Sequence, residues 1–134
     1  MEVKSGMKFS KATDYALHAL VYMIHRDGER TKIPVQDLSL ALNVSTTYLS
    51  KVLTRIVKAN YISSTSGAKG GYRLQQNWEN VSVYDIVVAI DGVQTLFEDS
   101  FDHGEECRIQ AAMMEAQENL ISTLKNKRLK DLTV

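Results

Sequence analysis

Lys51, Arg55, Lys58, Lys69 and Arg73 fall between Leu38 and Trp78, and no Asp or Glu interrupts them. Lys51, Arg55 and Lys58 recur at helical steps, and Thr47, Tyr48 and Ser50 place hydrogen-bonding groups just ahead of them. Ordinary protein surface mixes both signs of charge, so an unbroken cationic run suits a polyanion: cations for phosphates, hydroxyls and amines for base edges. The remainder of the chain compensates. Residues 1–78 hold 11 Lys and Arg against 5 Asp and Glu, a net of +6, whereas residues 79–134 hold 5 against 11, a net of −6. A neutral total therefore hides a basic end and an acidic one.

Other reactive side chains are few. Cys107 is the single cysteine, so it forms no disulfide within the chain and no Cys-rich metal site. His103 lies four residues before it, but two donors per chain are too few for a metal ion without help from another subunit. His18 and His25 pair with no Ser or Cys in a catalytic pattern. Gly67-Ala68-Lys69-Gly70-Gly71 is not a nucleotide loop, because its lysine precedes the last two glycines and no helix opening on Ser or Thr follows. No enzymatic activity, cofactor or metal is expected.

The 134 residues suit one ordinary domain with an appendage, and 44% hydrophobic residues with a single proline exclude disordered and collagen-like classes. No apolar run approaches a membrane span and the first six residues lack the apolar stretch of a secretory signal, so a cytoplasmic protein with no membrane partner is expected.

The positioning elements are legible from periodicity and punctuation. Ala12, Tyr15, Ala16, Ala19, Leu20, Met23 and Ile24 predict a helix from a Ser10 cap to about Arg26, closed by Asp27 and Gly28. Pro34 opens a short second helix that stops near Asn43. Ser45 caps a third, whose apolar stripe is Leu49, Val52, Leu53, Ile56 and Val57 and whose end is Asn60, a residue that tolerates left-handed backbone. Residues 61–64 and 71–74 read as two strands around a glycine-rich turn. Ser82 caps a fourth helix ended by Asp91 and Gly92, residues 93–105 read as an acidic loop, and a fifth helix runs from about Glu106 to Leu124. Together these spell a mainly α protein: a winged helix-turn-helix over residues 7–92 with a small β-hairpin wing, then residues 106–134 as a long C-terminal helix and tail. In this motif the third helix enters the major groove. Thr47, Tyr48, Ser50 and Lys51 would then meet bases, Arg55 and Lys58 phosphates, and Lys69 the backbone or minor groove, unless Lys69 merely closes a hairpin.

The opening from Met7 to Leu17, the helix from Ser45 to Asn60, the wing from Ser63 to Tyr72, and Val83 to Ile90 followed by Asp91 resemble the Rrf-type (Rrf-two) family of bacterial transcription regulators. The resemblance covers nearly all of the chain after Met7. It implies a homodimer, with a long helix crossing between subunits and paired winged domains on a palindromic operator in double-stranded DNA. Family members that carry an iron–sulfur cluster hold it with three closely spaced cysteines before that helix. Here Cys107 stands alone, matching the last of the three, and no cluster is expected. Ser66 also departs from relatives with an Arg in the wing.

Three questions are left to the structure. The stripe Ile109, Met113, Ala116, Leu120, Leu124 is covered either by a partner subunit or by the chain's own domain. Cys107 is either a redox sensor, favoured by a nearby helix start and opposed by Glu105 and Glu106, or an inert thiol. The basic face serves either a repressor or a winged-helix adaptor controlled by a regulatory protein partner.

Overall fold

The structure is a computed structural model, and it describes residues 9–93 and 108–133. Cys107, His103 and all but Val93 of the expected acidic loop lie outside the described residues. Among the described residues no helix is long and apolar enough to cross a membrane.

The first, third and fourth expected helices open on the serine caps the sequence offers. The Ser10 hydroxyl accepts from the amide of Thr13 at 3.2 Å and opens α1, Lys11–His25. Ala16, Ala19, Leu20 and Met23 turn inward at three- and four-residue steps and are buried. The chain then reverses through Asp27, at φ 55°, and the Gly28 amide closes on the Met23 carbonyl at 2.7 Å. Pro34 stands one position ahead of α2, Val35–Leu42, as its N-cap, and Asn43 ends that helix in a left-handed conformation. The turn leads directly into α3, Thr46–Lys58, whose apolar residues Leu49, Val52, Leu53 and Ile56 are buried. Asn60 adopts φ 65° just beyond it, as its residue type predicts.

The wing is a two-stranded antiparallel hairpin, β1 Ile62–Thr65 and β2 Gly71–Leu74, with Ile62 opposite Leu74 and Thr65 opposite Gly71. Its first strand sits one residue later than expected. A third segment joins it: Ile33 and Tyr72 exchange two backbone hydrogen bonds of 2.8 Å each. Gly71 makes that approach possible, because a Cβ there would lie 2.6 Å from the Ile33 carbonyl oxygen at φ 155°. Leu74 also donates to the Gly28 carbonyl at 2.8 Å, so the hairpin root is tied to the turn after α1.

Beyond a 3₁₀ turn, Trp78–Asn80, a reciprocal capping box opens α4, Val83–Asp91, with Ser82 and Asp85 each bonding the other's amide at 3.0 Å. The far end of α4 grips the start of α1. Asp91 accepts from the Ser10 amide at 3.2 Å, the Ser10 hydroxyl at 2.7 Å and the Thr13 hydroxyl at 2.6 Å. Sequence reading took Asp91 only as a helix terminator; the carboxylate joins two helices separated by most of the domain.

α5 spans Arg108–Asn126 and packs on α4, where Lys125 lies 5.2 Å over the Tyr84 ring. None of its residues is buried, and Ile109 is 67% exposed. The end of the chain, by contrast, is anchored on the domain. Leu129, in a second 3₁₀ turn Leu129–Leu132, is 1% exposed within the core and donates to Val81 at 2.9 Å, while Val83 donates to Lys127 at 2.7 Å. So, among the described residues, the domain covers the root of the C-terminal segment, half-buries Met113, Leu120 and Leu124 and leaves Ile109 and Ala116 of the α5 stripe exposed.

The Asp91 junction generates a prediction. Asp91→Ala leaves two hydroxyls and an amide without their acceptor and is expected to lower unfolding free energy by about 2–3 kcal/mol. Urea denaturation should show a lower midpoint with an unchanged slope.

Candidate nucleic-acid interface

Burial of one side of α3 decides what its other side presents. With Leu49, Val52, Leu53 and Ile56 in the core, Thr47, Lys51, Thr54, Arg55 and Lys58 are all exposed along the opposite face. The helix is held in place at its start by the Ser45 hydroxyl, which accepts from the amide of Tyr48 at 3.1 Å. Cationic residues in its last turn complement the negative end of its dipole, and its first turn carries no acid. That arrangement leaves the N-terminal turn attractive to phosphates.

The expected contact residues divide into groups. Thr47, Lys51 and Lys58 lie open on α3, and Lys69 is exposed at the tip of the wing. Ser50 and Tyr48 are half-buried. The Tyr48 ring meets Tyr15 of α1 edge to face, with centroids 5.7 Å apart and planes at 80°, so it also anchors the helix start to α1. Periodicity had placed Tyr15 in an apolar stripe and gave no sign of this ring pair. Arg55 is exposed, yet its Nη1 donates to the Ile90 carbonyl at 3.0 Å, a contact between α3 and α4 that sequence reading missed. Arg73 is half-buried at the wing root and its Nε is buried without a hydrogen-bond partner, which separates it from the open cations.

Between the wing and the start of α2 is an open hollow of about 250 Å³, lined in part by Gln36, Ser64, Thr65 and Ser66. The Tyr61 phenol, ahead of β1, is pushed above its ordinary pKa by burial and then by the Asp85 carboxylate. Neither the wing nor α3 contains an Asp or Glu to oppose a polyanion.

Helix, tight turn, recognition helix and hairpin, with a cationic outer face, define a winged helix-turn-helix of the DNA-binding class. The family profile described as "Rrf2: Iron-dependent Transcriptional regulator" matches residues 9–134, and the chain belongs to the Rrf2 family of transcriptional regulators, not to a family of enzymes. It is 30% identical over 132 residues to the HTH-type transcriptional regulator NsrR of Geobacillus kaustophilus, covering 94% of this chain and 89% of that protein. Among solved structures it resembles CymR, the global cysteine regulator of B. subtilis, at a TM-score of 0.82 and 21% identity over 94% of this chain and 95% of that one. The oxidized form of Staphylococcus aureus CymR gives a TM-score of 0.75 at 26% identity, with the same coverage of 94% and 95%.

An iron–sulfur cluster needs several thiolates, and the sequence holds one cysteine. Among the described residues no three His, Cys, Asp or Glu side chains converge as metal ligands.

The cap on α3 yields a prediction. Ser45→Ala is expected to cost about 1 kcal/mol in urea unfolding, and Ser45→Asp, which restores a capping oxygen, to recover most of it.

Proposed function

We propose that the chain is a homodimeric repressor that binds a palindromic operator in double-stranded DNA. The observation that carries this reading is the face of α3: its apolar side is buried and its open side offers Lys51, Arg55 and Lys58 with no carboxylate among them. Thr47, Ser50 and Lys51 meet base edges in the major groove, with Tyr48 at the margin set by its contact with Tyr15. Lys58 lies on a phosphate and Lys69 on the backbone or minor groove flanking the site. Arg55 faces the same flank but commits one donor to Ile90.

Dimerisation is supported by α5. Its Ile109, Ala112 and Ala116 are exposed and Met113, Leu120, Ile121 and Leu124 are only half-buried, a continuous apolar stripe that a second copy would cover. Two recognition helices about 34 Å apart would then enter successive major grooves. An iron–sulfur cluster is left out of this reading, because one thiol per chain falls short of the several thiolates a cluster usually takes. In its place we infer redox control through Cys107, next to the start of α5. Peroxide would oxidise its thiolate to sulfenate and be reduced to water, and the altered head of α5 would change the spacing of the winged domains. Support for this reading is the likeness to the oxidized CymR structure, at 26% identity.

The test is selection of genomic duplexes by the purified protein, followed by titration over rising salt. Lys51→Ala should lose about 1–3 kcal/mol on the selected duplex and relax base preference. Lys58→Ala should weaken all duplexes evenly and lower the slope of log K against log salt by about 0.9. No preference among duplexes at moderate salt, or a strictly monomeric protein, would end the reading.

A separate measurement bears on Cys107. Peroxide should release wild-type protein from its duplex and leave Cys107→Ser bound; equal release of both would discard the sensor.

A further inference from the structure

Arg55 differs from the other cations of α3 in what it touches. Its Nη1 donates to the carbonyl oxygen of Ile90 at 3.0 Å, bridging 35 residues of sequence. Ile90 lies in the last turn of α4, where helix geometry leaves the final carbonyls without an intrahelical N–H. The Gly92 amide takes the Val88 carbonyl at 2.9 Å, and Arg55 takes that of Ile90. α4 has no basic residue in its own last turn, so the charge that complements the negative end of its dipole comes from another helix. One residue further on, the Asp91 carboxylate holds Ser10 and Thr13 of α1. The end of α4 is thus a joint at which α1 and α3 both attach by polar contacts, and α4 itself packs on α5.

We propose that Arg55 is a positioning residue for DNA reading. It acts through the Ile90 carbonyl, holding the C-terminal half of α3 at a set angle to α4, and not by neutralising a phosphate. The inference rests on the DNA-binding reading of α3. The apolar contact between these helices runs through one core that includes Val52, Ile56, Ile86 and Ile90. Such contact is non-directional and tolerates small sliding, whereas a guanidinium donor on a carbonyl has a preferred line. The planar fork of Arg55 supplies direction where the core supplies only adhesion. Lys51 and Lys58, on the same helix, make no such contact among the described residues and are left to face DNA.

Two measurements on the full-length protein separate this from a phosphate contact, with Lys58→Ala as the internal reference. The first is amide hydrogen exchange of the DNA-free protein. Arg55→Ala should speed exchange of the Ile90, Asp91 and Gly92 amides by about fivefold or more as the α4 end frays, and Lys58→Ala should not. The second is affinity for a duplex selected by wild type, across a range of salt. Arg55→Ala should weaken binding by about tenfold at every salt concentration with an unchanged slope, while Lys58→Ala lowers the slope by about 0.9. Arg55→Gln, which keeps a planar amide donor but no charge, should regain part of both the protection and the affinity, and it replaces the alanine variant should that fail to fold. A slope that falls as it does for Lys58→Ala, an α4 end whose exchange is unchanged, or an affinity that does not move would each overturn the proposal. Loss of the DNA-binding reading itself would be seen first, as an absence of duplex preference in the wild-type protein before any substitution.

Discussion

The roll of α3 about its own axis is set by the four aliphatic side chains it buries, Leu49, Val52, Leu53 and Ile56. Each is worth roughly 1.5–3 kcal/mol as buried area, and turning the helix by a single residue position would swing the stripe about 100° out of the core. No exposed hydroxyl or amine on the far side could offset that. Thr47, Lys51, Arg55 and Lys58 therefore face solvent as a consequence of packing, and a cationic reading face follows from an apolar one. The Ser45 cap and the contact between Tyr15 and Tyr48 then fix where that face begins.

α5 obeys the same principle with the opposite result. Its root is secured by the Lys125–Tyr84 contact and by Leu129, which enters the core beyond the helix end. Among the described residues its stripe is only partly covered, and Ile109 is left 67% exposed. The second copy proposed above would cover what remains open. The division of charge fits this arrangement: the net positive half of the sequence carries the reading head, and the net negative half carries α5, the segment proposed to join copies.

Between the two halves stands the end of α4. Apolar packing brings α1, α3 and α4 together, and polar contacts made by Asp91 and Arg55 select one relative orientation among those that packing permits. These bonds join groups far apart in sequence, and all of them meet within two residues of chain. A regulator proposed to act through the separation of two recognition helices has reason to place directional bonds there.

The sequence by itself determined the elements. Ser10, Ser45 and Ser82 act as caps, Asn43 and Asn60 as left-handed stops, and three- and four-residue spacing marks the faces, because these signals are local and need only neighbouring residues to operate. Strand bounds shifted by one residue, since hairpin ends depend on a partner strand. Only the tertiary structure decided the rest: that Asp91 is a clasp and not merely a terminator, that Arg55 bonds α4, that Ile33 joins the wing, and that Leu129 is core. A single Asp, Arg or Leu carries no periodicity to announce its partner, and these contacts exist only once chain segments tens of residues apart have been brought within about 3–4 Å of one another.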